Sequence, residues 1–350
     1  MNVPEELIAL FDAALAAQAS DIHLVAGEMP RLRVRGELDP VTNAFRLEPV
    51  QLEEMLLSLF APHTRSQFHT GVRTCAEVLL EHREFNFTLF AYRSTGGLAA
   101  TVRIINAKIP TLAEIGGDCV TPFAKLTGLP RGLVLITGPH GSGKQTTSFA
   151  VVQEISSRSS RRVHLLEESL AYRLKSEKSL ISQIIIGQDA PDYAPAMQSL
   201  YRGADPDVVY VADLPSSDAA QAALMLVRSG HLVIANANAA SAADALAILC
   251  AALPDDSLAL LAEHLVAVTN QRLMPKSDGS GRIPAYEILS ASQEIKSAIL
   301  DRSDREAFAR IMESGDDGMR TIPQVVAEQI AEGAVAEDAG AAVLRDYPTT

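Results

Sequence analysis

Between residues 138 and 147 the chain reads GPHGSGKQTT, and Gly138, four residues, Gly143 and Lys144 have the spacing of a loop built to hold phosphates. Glycines at 138, 141 and 143 let backbone N–H groups turn inward. The residues that follow have helical periodicity, so a helix N-terminus adds partial positive charge at the same place. Lys144 would reach the β and γ phosphates as a point charge. Pro139, His140, Ser142 and Thr146 complete the candidate binding loop, and a neutral imidazole at His140 could pack over the phosphates. The other reading of the same residues is a tight strand-to-helix turn without a ligand. After the lysine, phosphate loops of this kind place a Ser or Thr hydroxyl on Mg²⁺. Here that position is Gln145. A glutamine oxygen is longer in reach and neutral, and Thr146 lies about 100° further round the helix. The loop therefore points to nucleotide binding more directly than to phosphoryl transfer.

Splitting a nucleoside triphosphate also needs a carboxylate to hold the metal and one to activate water. Two apolar runs end on acids. VHLLEES places Glu167 and Glu168, and DVVYVADL places Asp213. Glu167 is expected to orient or activate the water, and Asp213 to hold the metal through a water. The other reading of both is as ordinary solvated or helix-capping carboxylates at strand ends.

Elements that would position these residues are readable from the hydrophobic pattern. GLVLIT, ahead of the loop, is a short continuous apolar run, as expected for a strand buried on both faces. RRVHLLEE, DVVYVAD and GHLVIANA are three more such runs, and helical segments such as DAAQAALMLVRSG separate them. This alternation predicts a parallel sheet with helices on both faces. Residues 1–106 differ: a helix precedes the alternating segments RLRVRGEL, EVLLEHREFNFTLFAYRS and LAATVRII, an α+β pattern with antiparallel strands. Residues 107–116 suit a linker, 117–289 the parallel-sheet domain, and 290–350 a helical region rich in Ala and Glu.

Composition narrows the function classes. The 350 residues suggest two domains, and 47% apolar residues are enough for a large core. A formal net charge of −13 disfavours nucleic acid as a partner. No apolar run reaches 18 residues, so membrane insertion is not expected, and the acidic amphipathic N-terminus does not read as a signal peptide. Cys75, Cys119 and Cys250 are far apart, which argues against a disulfide framework or a zinc site and fits a reducing cytoplasm.

The motifs, taken in order, resemble the PilT-type pilus retraction ATPases of the secretion-ATPase superfamily. SDIHLVAGEMPRLRVRGEL (20–38) resembles their amino-terminal motif and RGLVLITGPHGSGKQTT their phosphate loop. LLEES stands at their aspartate box, ADPDVVYVADL at their atypical Walker B, and SGHLVIANANAASA at their histidine box. NQRLMPKSDGSGRIPAYEIL and SGDDGMRTIPQVVAEQIAEG match later stretches. The resemblance implies an α/β fold: a RecA-like P-loop domain, preceded by a smaller PAS-like α+β domain and followed by C-terminal helices. It implies ATP with Mg²⁺ as cofactors, and a cytoplasmic protein peripheral to the inner membrane. The partners it implies are a homo-hexamer or a mixed ring with a paralogous pilus ATPase, and an inner-membrane pilus platform protein. By the same resemblance His231 would sense the γ-phosphate or bind across a subunit boundary. Arg103, with Arg93 behind it, would reach the nucleotide from the amino-terminal domain.

Departures from the family pattern gather on the chemistry. The aspartate box has Glu168, Ser169 and Ala171 for Asp, Pro and the trailing Glu, and Walker B has Ala212-Asp213 for Gly-Glu, then Pro215 and Ser216 for Arg and Asp. The second histidine is replaced by Asn238, and a basic stretch of the family is reduced to EIKSAILD with Lys296 alone. Three functions stay open: a retraction motor with weak hydrolysis, a nucleotide-binding or empty ring partner of an active paralogue, and an unrelated P-loop enzyme such as a small-molecule kinase.

Overall fold

Alternation in the first third of the chain makes one sheet with a dry face. In the computed structural model, residues 3–34, 36–41, 46–106, 108–116, 120–314 and 318–348 are described, and they fall into two units. The first comprises residues 1–109 together with 169–173. Its elements are α1 (Glu5–Ala16), β1 (Asp21–Val25), β2 (Arg31–Val34), β3 (Glu37–Pro40), α2 (Pro49–Ser58), α3 (Pro62–His69), β4 (Cys75–His82), β5 (Phe85–Ser94) and β6 (Gly97–Asn106). The strands form an antiparallel sheet in the order β3-β2-β1-β6-β5-β4. Successive side chains point to opposite faces. Ile22, Leu24, Phe87, Leu89 and Val102 therefore all meet Leu7, Phe11, Leu52 and Leu56 of the helices. Phe11 stacks on Phe87, with ring centroids 3.9 Å apart. RLRVRGEL, an alternating segment, holds two strands: β2 and β3 pair antiparallel, and Arg35 lies outside the described residues.

Residues 169–173 belong to this unit although they follow β-strand residues of the other in sequence. Asn86 Nδ2 donates to Ala171 O at 3.1 Å, Thr88 Oγ1 to Leu170 O at 3.0 Å, and Leu170 N–H to Glu77 Oε1 at 2.9 Å. Ser169 and Ala171, at the position of the aspartate box in the resemblance, thus lie within this segment.

The second unit comprises residues 110–168 and 174–350. It begins with α4 (Leu112–Ile115) and α5 (Val120–Thr127), so part of the expected linker is helical, started by a Thr111–Glu114 capping box. Ala107 and Cys119 lie outside the described residues. Then come β7 (Gly132–Thr137), α6 (Lys144–Arg158), β8 (Arg162–Glu167), β9 (Leu180–Ile185), α7 (Tyr193–Gly203), β10 (Val208–Val211), α8 (Ser217–Arg228) and β11 (Leu232–Ala237). They are followed by α9 (Ala242–Ala252), α10 (Asp255–His264), β12 (Leu265–Pro275), β13 (Arg282–Ser290), α11 (Gln293–Leu300), α12 (Arg305–Glu313), α13 (Ile322–Ala331) and α14 (Glu337–Arg345).

The sheet order is β13-β12-β7-β11-β10-β8-β9, parallel except for the β12–β13 hairpin at its edge. Every residue of β7 and β10 is buried, which is why both read as unbroken apolar runs. Leu133, Leu135, Val209, Val211, Val233 and Ala235 pack one face against α7 to α10. On the other face Phe149 of α6 meets Tyr210, ring centroids 5.5 Å apart. Each such side chain contributes about 1.5–3 kcal/mol by leaving water. The architecture is the α/β one expected: a parallel-sheet unit, a preceding antiparallel unit, and helices at the C-terminal end.

Candidate functional site

Parallel strands put all their carboxyl ends on one edge, and there the candidate residues collect. The register pairs Thr137 of β7 with Ala237 of β11, and Val211 of β10 with Leu166 of β8. Gly138, Asn238, Asp213 and Glu167 therefore leave or end their strands on the same edge. His231 does not join them. It precedes β11, and its carbonyl accepts from Gly132 N–H at the start of β7. Six residues of extended chain, roughly 20 Å, put it at the other edge of the sheet. Adjacency to a strand in sequence does not tell which end of it faces the loop; the parallel register does.

The loop between β7 and α6 is a cradle that tolerates no side chain at two points. Gly138 has φ +150°, and a Cβ there would stand 2.6 Å from Ser142 Oγ and 2.7 Å from Gln271 O. Gly143 has φ +85°, and its Cβ would meet Gln271 Nε2 at 2.9 Å. Gly141, with φ +78°, has open space instead. Ser142 is 4% exposed, and its hydroxyl finds no hydrogen-bond partner among the described residues. Pro139, His140, Gly141 and Gln145 are exposed on the rim, with Thr146 half-buried.

Lys144 bends over this cradle. Its Nζ donates to Asn238 Oδ1 at 2.8 Å and to Pro139 O at 3.3 Å. Burial holds its pKa below the ordinary lysine value, while attraction to Asp213 pulls the other way. Burial likewise raises the Asp213 carboxyl; the Leu214 N–H, at 3.0 Å from Oδ1, and Lys144 oppose the rise. Asp213 therefore partners the lysine electrostatically. Glu167 is fully buried, and its Oε1 accepts from Gln183 Nε2 at 2.9 Å. Burial also lifts the Tyr193 hydroxyl well above its ordinary value, and the negative charges of Glu168, Asp213, Glu167 and Asp192 add to that.

Beneath the loop a polar network holds α6 in place. Ser148 Oγ donates to Asn236 Oδ1 at 2.6 Å, and Asn236 Nδ2 donates to Tyr210 OH at 2.9 Å. Thr147 Oγ1 donates to Gln271 Oε1 at 2.9 Å and lies 3.1 Å from Tyr286 OH. Sequence reading passed over Gln271, Tyr210, Tyr286 and Gln183. The one available signal was polar residues interrupting runs that otherwise read as buried strands.

The cradle fits a polyphosphate: a glycine-lined loop at a helix N-terminus, a buried hydroxyl and an ammonium group that now rests on neutral oxygens. The usual metal-binding hydroxyl does not fit as well. Gln145 is exposed, and the Thr147 hydroxyl is committed to Gln271 and Tyr286. Among the described residues no group of three or more His, Cys, Asp or Glu side chains could hold a metal ion. Arg103 lies in the first unit, 67% exposed and 3.6 Å from Asp21 Oδ1. Arg93, in the same unit, donates to Phe68 O at 2.5 Å.

Residues 2–345 match the family model described as "Type II/IV secretion system protein". The chain is 29% identical over 326 residues to the type IV pilus retraction ATPase PilT of Pseudomonas aeruginosa, covering 91% of this chain and 92% of that one. It is 26% identical over 325 residues to the type IV pilus ATPase PilU of the same organism, covering 91% and 84%. A crystal structure of the pilus retraction motor PilT with bound ADP superposes with a TM-score of 0.83 at 25% identity, over 98% of this chain and 97% of that one. From its sheet edge to its full-length likeness, this chain belongs to the Type II/IV secretion system protein family and is similar to its PilT-type ATPases.

Proposed function

We propose that the chain is an ATP-binding motor protein of the pilus-retraction type, with slow hydrolysis, coupling nucleotide state to pilus disassembly and twitching. The observation that carries this reading is the cradle: two glycine positions where a Cβ would strike the loop or Gln271, with Lys144 held over them by Asn238. When bound, ATP would supply the phosphoanhydride whose cleavage drives the motor, and Mg²⁺ would neutralise charge on its phosphates. The loop N–H groups and Lys144 would hold the phosphates, Glu167 would orient water, and Asp213 would set the charge on Lys144. Shortened to aspartate and facing the lysine, that acid leaves the metal less well held. The boundaries we assign are 1–106, 107–116, 117–289 and 290–350.

His231, at the opposite sheet edge from the phosphate loop, suits a contact across a subunit boundary, and Arg103, 67% exposed beside Asp21, would reach a nucleotide site from its strand. We therefore place the chain in a hexameric ring, alone or with a paralogous ATPase, on an inner-membrane platform protein. Among the described residues no helix is long and apolar enough to cross a membrane; the cytoplasmic place, peripheral to the inner membrane, is part of the same proposal.

Exposure of Gln145 favours a second reading, a ring partner that binds ATP without splitting it. ATP binding and Mg²⁺-dependent phosphate release by the purified chain, beside Lys144→Ala, separate the two. Turnover above that control supports the motor; saturable binding with no turnover supports the ring partner. Absence of ATP binding overturns both. Gln145→Ser is expected to raise turnover if the acids are competent.

A further inference from the structure

The loop that presents Asn238 is held from behind by buried polar side chains that lie outside the phosphate loop itself. Asn270, Arg272 and Glu287 share one face of the β12–β13 hairpin, since Asn270 pairs with Glu287 and Arg272 lies two residues on. Each grips the backbone between β11 and α9. Asn270 Nδ2 donates to Ala239 O at 3.1 Å, the Arg272 guanidinium donates to Ala240 O, and Ala242 N–H donates to Glu287 Oε2 at 3.2 Å. Fixing this backbone fixes where Asn238 holds the Lys144 ammonium.

The other oxygen of Glu287 is controlled from the end of the chain. Tyr347 OH donates to Glu287 Oε1 at 2.9 Å. Tyr347 follows α14, and that region rests on a small apolar cluster of its own: Met274, Ala285, Ile322, Val325, Val326 and Val335. A segment held by so little buried surface detaches at lower cost than the main sheet. A cavity of about 320 Å³, lined in part by Glu287, Ser241, Arg305 and Tyr347, gives the ring room to leave and water a way in.

We propose that Glu287 is a positioning residue for Lys144 and that Tyr347 is its latch: docking of the C-terminal segment holds the carboxylate on Ala242 and beside Arg272, which sets the 238–242 loop and the grip of Asn238 on the lysine. The proposal rests on the reading of Lys144 as the phosphate-binding lysine. Glu287 is 1% exposed, and burial pushes its carboxyl up to about 7, against the pull of the Ala242 N–H, the Tyr347 hydroxyl and Arg272. The other charged groups facing this cluster are Asp346 beside Arg272, Glu313 of α12 beside Tyr347, Arg305 in the cavity wall, and Asp244 of α9, which accepts from Ala240 N–H. Above its pKa Glu287 is charged and holds the loop. Below it the carboxyl accepts less well, Arg272 loses its counter-charge, and Asn238 releases the lysine. Without the Tyr347 hydroxyl the charged form is less favoured, so release occurs at a higher pH.

The test needs no nucleotide. The full chain is pulsed with an amine-acylating reagent between pH 6 and 8, and labelling of Lys144 is divided by that of exposed Lys175 by mass spectrometry. In the wild type the ratio is expected to rise by about fivefold as pH falls through the Glu287 transition, the effect of losing one ordinary hydrogen bond. Tyr347→Phe keeps the ring and is expected to move the midpoint up by about one pH unit. Glu287→Gln is expected to give the released ratio at every pH, matching Asn238→Ala. A flat wild-type ratio, a midpoint unmoved by Tyr347→Phe, or one that survives Glu287→Gln overturns the proposal. If Glu287→Gln does not fold, Tyr347→Phe alone decides. Failure of ATP to bind would sink the phosphate-site reading without touching this ratio, and a flat ratio with ATP bound sinks only the latch.

Discussion

Gly138 shows how one residue can be fixed by two requirements at once. Its φ of +150° is closed to L side chains, and the space its Cβ would need is already taken by Ser142 Oγ and Gln271 O. Gly138→Ala is therefore expected to cost about 1–3 kcal/mol, read as a lowered denaturation midpoint. Gly141→Ala meets only the positive φ and should cost less. Glu287 makes a prediction of a different kind. Its folded pKa, about 7, lies above the ordinary 4.5, so the folded chain binds that proton more tightly than the unfolded chain. Stability from this group is full below 4.5 and falls as pH rises towards 7. Glu287→Gln carries no charge to bury. Its melting temperature relative to the wild type is accordingly expected to rise between pH 5 and pH 8; a difference constant with pH would contradict the raised carboxyl.

At the scale of elements, the strands that could be read from the sequence are the ones whose burial is uniform. β7, β8, β10 and β11 are buried along almost their whole length, and their mainly apolar runs announced them. β9 is half-exposed along nearly all its length, and LISQII carries no alternation to notice. β12 was harder still, because Thr269, Asn270, Gln271 and Arg272 sit in its buried core and break the apolar run. Those same residues brace the phosphate loop and the Asn238 loop, so the polar letters that hid the strand are the ones the site uses. The phosphate loop itself was legible because strand, glycines and helix follow one another in sequence. His231 was not, because its place depends on register between strands. Thr147 tests the brace. Thr147→Val keeps the shape and leaves Gln271 Oε1 without that donor, so an expected loss of about 1–3 kcal/mol should appear in the denaturation midpoint. Hydrogen exchange in the first turn of α6 should rise with it; unchanged exchange there would mean that Gln271 is not the anchor.

For the whole molecule, two separate hydrophobic clusters imply two units of stability. One contains Phe11, Phe87, Ile22 and Val102 from residues 1–109; the other spreads over β7, β10, β11 and α7 to α10. Phe87 is fully buried and stacked on Phe11, so Phe87→Ala should cost its own unit about 3–5 kcal/mol. A ligand that binds only the folded parallel-sheet unit raises the stability of that unit, by about 2.7 kcal/mol at a hundred times its Kd. Calorimetry of the full chain is therefore expected to resolve two transitions. Phe87→Ala should lower one, and ATP should raise the other. The five residues 169–173 complicate this in an informative way, because they follow Glu167 and Glu168 directly and are held by Asn86, Thr88 and Glu77. When the antiparallel unit melts, that hold is lost, and the acids are left at the start of a free loop. Phe87→Ala should then weaken ATP binding only above the temperature of its lowered transition and leave it unchanged below. Weaker binding at temperatures where both units are folded would mean that the two cores are not independent, and that the antiparallel unit tunes the phosphate site without unfolding.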